Sequence, residues 1–451
     1  MKKASTITTP DAVSAAGATA APVPGTGYET VDPPIYRDIP PVVRQAMFLL
    51  GGCVLRQEEP AAEARMRTEV FPALDDLHEQ EWMILLRLLI RQEIAGLVYP
   101  FVQAYADHAL REAADSAGGT TPSAPVPAPV LDMWAKHAMF GVVYQEKAKN
   151  SLAKAMACFG GEPLKPVLTK GLRMSLMYPD PTLRHSVDLD LFAERSQYGR
   201  IASCWHEAGY HTPKKKIRNP VHEEFRYEGR VMLELHGSLV HPWYFPVDAR
   251  FWYAAFARNA VPMQVHGETV WLSSPGDEFV FQVIHLIRHY LCAGAFMKLF
   301  LDLAVLLTRG MTVGDRQYAA DTLKRLGFFH AACHLAAASA DMLGFTVPEP
   351  FALSPSEMHD SSLFRQDVFL VEELGGEQIK RWQHGLVHFY LFSRGKWWLK
   401  GPAYLLQTGV DILIYGYGIR DSFRFNTNVY RRYRERETIF RQMGLLAMRP
   451  A

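Results

Sequence analysis

Apolar side chains recur along this chain at two spacings, three-to-four residues and two residues, and the spacings divide it into helical and strand-bearing regions. Trp82, Leu85, Leu86, Leu89, Ile90, Ile94 and Leu97 repeat at i, i+3 and i+4 and predict a helix with one buried face over 79–99. A second amphipathic helix is predicted over about 131–158, closed by Gly160-Gly161. An extended run from Pro163 to Lys170 follows, then a tight turn and a short helix over 171–177. Pro179, Asp180 and Pro181 break the chain. From Ser186 to Ala193 charged and apolar residues alternate, as they do in a strand with one buried face. A helix over 198–208, stopped by Gly209, precedes two strands at 222–227 and 230–235 that Glu228-Gly229 joins as a hairpin. Beyond Pro275 the helical spacing returns, at 276–292, 297–309, 315–326 and 329–343.

Composition sets the boundaries of these regions. Residues 1–34, rich in Ala, Thr, Pro and Gly, carry too few large apolar groups to offset the entropy of ordering, and a disordered tail is expected. A helical region is expected over 35–113. A linker follows at 114–130, where Pro122, Pro125, Pro127 and Pro129 exclude a regular helix. The β-α-β-α-β-β order occupies 131–272, and a second helical region runs over 273–451. The fold class is therefore α+β, a small mixed-sheet core flanked by N-terminal and C-terminal helical regions.

Formal net charge is +1 over 451 residues, so no global field draws the chain to nucleic acid or anionic lipid. The five cysteines, with no C-x-x-C pair, suit a reducing compartment and argue against a disulfide framework. No long apolar run is free of interruption, the nearest being broken by Gln407 and Asp411, so no transmembrane segment is expected and the location is read as cytoplasmic. A Walker A loop, a G-x-G-x-x-G after a strand and a G-x-S-x-G elbow are all missing; the Gly25 and Gly27 pair falls in the tail.

The segment Val187-Asp188-Leu189-Asp190-Leu191-Phe192 carries the most chemistry. On a strand, residues i and i+2 share a face, so Asp188 and Asp190 project together while Val187, Leu189 and Leu191 turn to the core. Two adjacent carboxylates repel, and burying them without a cation is costly. The same alternation recurs at Val231–His236, where Glu234 and His236 share a face. If the two strands are neighbours, Glu234 completes a carboxylate triad of the kind that holds two metals for in-line phosphoryl or nucleotidyl displacement. Mg²⁺, or Mn²⁺, is the expected ion. Just upstream, Leu168-Thr169-Lys170-Gly171-Leu172-Arg173 leads an extended run into a helix, a geometry that favours phosphates, with Lys170 and Arg173 as charged partners.

Together, the run PVLTKGLRMSLMYPDPTLRHSVDLDLFA, then CWHEAGY and VMLELHGSL, resembles the uncharacterised nucleotidyltransferase family of the DNA polymerase beta-like superfamily. The resemblance covers roughly 145–310. It implies that Lys170 and Gly171 form the phosphate-side turn and that Tyr178 and Pro179 close the following helix. It further implies that Arg184 stands ahead of the metal pair Asp188 and Asp190, and that Glu234 and His236 lie on the third-carboxylate strand. His285, His289 and Asp302 stand in the helical follow-on. In place of the superfamily's usual Gly-Ser or Gly-Gly, this chain has Lys170-Gly171 followed by Leu172.

The expectation is an enzyme that moves an NMP from an NTP, with ATP expected, to a hydroxyl acceptor (small molecule, protein or RNA) and releases pyrophosphate. Asp188, Asp190 and Glu234 are the catalytic metal ligands; Lys170, Gly171, Arg173, Arg184 and His236 bind the nucleotide. Two alternatives stand beside it: a non-catalytic nucleotide-binding scaffold on the same fold, and a toxin-like nucleotidyltransferase acting on tRNA. The second is suggested by Lys214, Lys215, Lys216 and Arg218, and by the arginines and aromatics of 417–436, although a docked amphipathic helix accounts for the latter. His285 and His289, at i and i+4, are expected to face the cleft or to pack.

Overall fold

The computed structural model describes residues 39–116, 125–213, 220–242, 244–292, 295–354, 362–369, 390, 396–413 and 417–447. The tail at 1–34, the middle of the linker and the basic cluster at 214–218 lie outside the described residues.

Helices α1 (Pro41–Arg56), α2 (Ala62–Arg65), α3 (Phe71–Asp75), α4 (Glu79–Arg91) and α5 (Ala95–Ser116) come first. The helix predicted over 79–99 is in fact two. The chain turns between α4 and α5 at Glu93, whose φ of 59° is left-handed and ends the helical hydrogen-bond run. Apolar spacing carries across the turn because both helices bury their stripes in the same core, so periodicity alone does not show the break.

The mixed unit runs α6 (Ala128–Ala157), β1 (Val167–Thr169), α7 (Lys170–Ser175), β2 (Asp188–Phe192), α8 (Arg195–Glu207), β3 (His222–Phe225), β4 (Met232–His236), α9 (Arg250–Arg258), β5 (Val261–Val265) and β6 (Glu268–Leu272). Helices α10 (Pro275–Cys292), α11 (Met297–Val305), α12 (Val313–Leu326) and α13 (Phe329–Leu343) follow. Among the described residues the strands form one six-stranded sheet, ordered β3-β4-β2-β1-β6-β5. The hairpin β5–β6 adds to the predicted strand order. His266 and Gly267, with φ of 48° and 85°, make its two-residue turn, and β6 pairs parallel with β1. Pro262 is tolerated because β5 is an edge strand.

One face of the sheet is apolar throughout its centre. Leu168, Leu189, Leu191, Leu233 and Leu235 pack with Leu152 and Met156 of α6 and with Ile201 and Trp205 of α8. Burial of each such leucine stabilises the fold by ~1.5–3 kcal/mol. Val187 does not join them; it precedes β2 and is 45% exposed. On the other face Val167 and Phe192 enter a larger core that α9 to α13 share with α1, α4 and α5. The N-terminal and C-terminal helices thus close over the second face as one apolar body.

Candidate functional site

Strand register brings the acidic residues together. β2 and β4 run parallel with Asp190 beside Glu234 and Asp188 beside Met232. On the outer sides, β1 sets Thr169 opposite Asp190, and β3 sets His222 opposite His236 and Glu224 opposite Glu234. Because side chains alternate, Asp188, Asp190, Glu234, His236 and His222 share the face turned away from the leucine layer. Asp190 and His236 are buried; Asp188, Glu234 and His222 are partly open.

The electrostatics of the two aspartates diverge. Burial alone would raise the Asp190 carboxyl. The Lys170 ammonium at 2.8 Å and a hydrogen bond with His236 Nε2 at 2.8 Å outweigh it and hold the group well below the usual carboxylate range. At Asp188 the charges of Lys170 and Arg184 act in the same sense but are outweighed. Burial, followed by the charges of Asp190 and Glu234, pushes its carboxyl up to about 7. Lys170 answers to the same field: burial would lower its ammonium, but Asp190, Glu234 and Asp188 raise it above its ordinary value. One ammonium among three carboxylates leaves the pocket short of positive charge. The oxygen-rich donor set and the raised proton affinity of Asp188 are what a divalent cation would relieve; among the described residues the group whose ligand atoms lie within 4.8 Å of one another is His222, Glu234 and His236.

The turn beside the carboxylates is built under constraint. Lys170 has a φ of 48°, unusual for a residue with a side chain. At Gly171 a β-carbon would run into Ser186 Oγ, so only glycine lets the turn lie against β2. The buried Glu278 of α10 fastens the turn from behind. It accepts from Lys170 N–H at 3.0 Å and from the hydroxyls of Thr169 and Ser273, both at 2.6 Å. The Lys170 amide is therefore engaged, and α7 is only six residues long. What the turn offers toward the carboxylates is the Lys170 side chain.

Arg173 and Arg184 stand elsewhere than at the open face. Arg173 is buried and its Nε donates to the Ser273 carbonyl at 2.9 Å. Arg184 is buried too. It forms a two-point ion pair with Asp302 of α11 and donates from Nη1 to the Gly171 carbonyl at 2.7 Å. Tyr178 adds a 2.7 Å hydrogen bond to the same Asp302. Glu278 and Asp302 were outside the sequence-derived site, and they anchor it; acidic residues on apolar helices were the available signal. His285 lines a narrow cleft with Lys170, His236, Phe281 and Arg288. Burial drives its imidazole well below the ordinary value and that of His289 down to about 3, so both rings are neutral.

The protein family described as uncharacterised nucleotidyltransferase matches residues 78–344, well over half of the chain. The chain belongs to that family. The match begins at α4 and ends just past α13, a wider span than the motif resemblance at 145–310. The additional helices carry no chemical motif; they share the core that backs the acidic face. No curated protein and no solved structure matches the chain. Among the described residues, no helix is long and apolar enough to cross a membrane.

Farther along, the helix Ile419–Gln442 buries Val429, Tyr433 and Phe440, and its Arg436 pairs with Asp367. It is a docked amphipathic helix.

Proposed function

We propose that the chain transfers a nucleoside monophosphate from an NTP to a hydroxyl acceptor at the face bearing Asp188, Asp190 and Glu234. A bond forms between the acceptor oxygen and the α-phosphorus, the bond to the β-phosphate oxygen breaks, and pyrophosphate leaves. The observation that carries this reading is the parallel register of β2 and β4, which sets Asp190 beside Glu234 with Asp188 two residues away on the same face. These three carboxylates would hold Mg²⁺ or Mn²⁺, whose chemistry is to offset charge on the phosphates and to activate the attacking oxygen.

The remaining work falls to the chain itself. Lys170 supplies a cation that can leave Asp190 for a phosphate oxygen once the carboxylate is otherwise neutralised. Glu234, half-buried beside Asp190, is placed to take the proton from the acceptor hydroxyl. Arg184 and Arg173 act by position: the first ties Gly171 to α11, the second ties α7 to Ser273. His285, whose ring burial keeps neutral, lines the cleft together with His236.

The test is to incubate the protein with each NTP labelled at the α-phosphate, Mg²⁺ or Mn²⁺, and host extract, and to sort the label among small molecules, protein and RNA. Label in any fraction that Asp188→Asn with Asp190→Asn removes supports the proposal. Label on RNA selects the tRNA-directed alternative. Metal-dependent NTP binding without pyrophosphate release on any acceptor selects the non-catalytic scaffold and ends the enzymatic reading.

A further inference from the structure

Beside the carboxylates lies a second group of donors with different chemistry. The antiparallel register of β3 and β4 faces His222 with His236, their rings 4.9 Å apart, and Glu234 lies two residues from His236 on the same face. His222 Nδ1 is 3.3 Å from Glu234 Oε2, and His236 Nε2 is 3.6 Å from the same oxygen. The ligand atoms of all three residues lie within 4.8 Å of one another. Four donors placed tetrahedrally at ~2.0–2.1 Å from an ion are separated from each other by ~3.3–3.4 Å. The two separations to the Glu234 oxygen lie nearer the edge of such a coordination shell than the length of a good hydrogen bond.

We propose that His222, Glu234 and His236 form an imidazole-bearing cation position that takes a transition-metal ion (Mn²⁺, Co²⁺ or Zn²⁺) next to the aspartate position. Two imidazole nitrogens and one carboxylate suit these ions, whereas Mg²⁺ prefers oxygen alone. A second observation supports the site. His236 is 2% exposed, and its Nδ1 is buried with no hydrogen-bond partner among the described residues. No neighbour on that side fixes the tautomer, so the proton can move to Nδ1 and leave Nε2 with a free electron pair. Nδ1 lacks a partner in either tautomer, so the exchange creates no new unsatisfied atom. Ligation by Nε2 replaces its hydrogen bond to Asp190 and releases that carboxylate toward the neighbouring position. Glu234 then bridges an oxygen-lined position and a nitrogen-bearing one, giving a site with two unlike cation preferences.

The proposal rests on the nucleotidyltransferase reading only through the shared Glu234, and the metal alone tests it. Chelator-treated full-length protein is titrated with Co²⁺, without nucleotide, and followed by visible absorption. His222→Gln is expected to weaken binding at least about tenfold, while His266→Gln, in the β5–β6 turn at the opposite edge of the sheet, leaves it within about twofold. Equal Co²⁺ affinity in wild type and His222→Gln overturns the proposal. Wild-type protein loaded with Mn²⁺ gives an independent readout that needs no variant. Nitrogen couplings in pulsed electron paramagnetic resonance support imidazole ligation, and their absence overturns it. Histidine-dependent Co²⁺ binding in a protein that transfers no nucleotide would sink the function proposed above and leave this site standing. Nucleotide transfer without nitrogen coupling would do the reverse.

Discussion

The two faces of β2 and β4 are made by the same ten residues and behave as different materials. On one, Leu189, Leu191, Leu233 and Leu235 are fully buried against α6 and α8. On the other, Asp188, Asp190, Glu234 and His236 crowd together, with Lys170 as the ammonium nearest to hand. The first face contributes stability; the second consumes it, because charge is held near charge in a poorly solvated place. A two-residue period lets one strand do both, since neighbouring side chains never share a surface. The comparison also separates two kinds of buried acid. Asp302 and Glu278 are wholly satisfied by Arg184, Tyr178, Thr169 and Ser273, whereas Asp188 is left with its proton affinity raised.

If the faces are independent, substitutions on them should separate activity from stability. The largest effect is expected from Asp188→Asn with Asp190→Asn. Transfer should fall by on the order of 10⁴-fold, about 5 kcal/mol of transition-state stabilisation, while denaturant midpoints stay level or rise; a parallel loss of fold and activity would erase the distinction. Next is Arg184→Met, which strands Asp302 in the core and should cost about 3–5 kcal/mol in urea unfolding. An unchanged midpoint would mean that the pair does not anchor the turn. Leu191→Ala on the apolar face should cost ~2–5 kcal/mol, with transfer per folded molecule unaltered; impaired turnover there would show that the faces are coupled.

The smallest expected effect is a pH dependence. The folded protein holds the Asp188 proton more tightly than the unfolded chain does, whose carboxyl has the ordinary value of 3.8. Stability from this group is therefore fully present below about 4 and is lost as pH climbs toward about 7. A divalent cation on the ionised carboxylate reverses that loss. The rise in Tm caused by Mg²⁺ should be larger at pH 8 than at pH 5, and Asp188→Asn should flatten the difference. A pH-independent rise would place the ion elsewhere.

How much of this was legible in the sequence follows from the range of each interaction. Alternation along 186–193 and 231–236 is local, so both strands and the shared face of Asp188 and Asp190 could be read directly. Their adjacency to Glu234 needed the pairing of β2 with β4, which the sequence offers only as a condition. Arg173 was read as a phosphate partner from its place after the turn, and Arg184 from the family resemblance; the partners that hold them in the fold are remote in the chain. Arg184's partner Asp302 lies 118 positions away, and the Glu278 that holds Thr169 lies 109 away. The hairpin β5–β6 was hidden for another reason: Pro262 and an exposed edge weaken the strand signal, and the two-residue turn uses His266 where Asn or Asp is the usual marker.

The most direct measurement of the central claim is calorimetric binding of an NTP to the full-length protein, with and without Mg²⁺, in wild type and in the doubly substituted Asp188→Asn, Asp190→Asn protein. The account predicts binding that requires Mg²⁺ in the wild type and disappears in the variant while its circular dichroism is unchanged. Nucleotide binding that ignores both the metal and the two aspartates would contradict it.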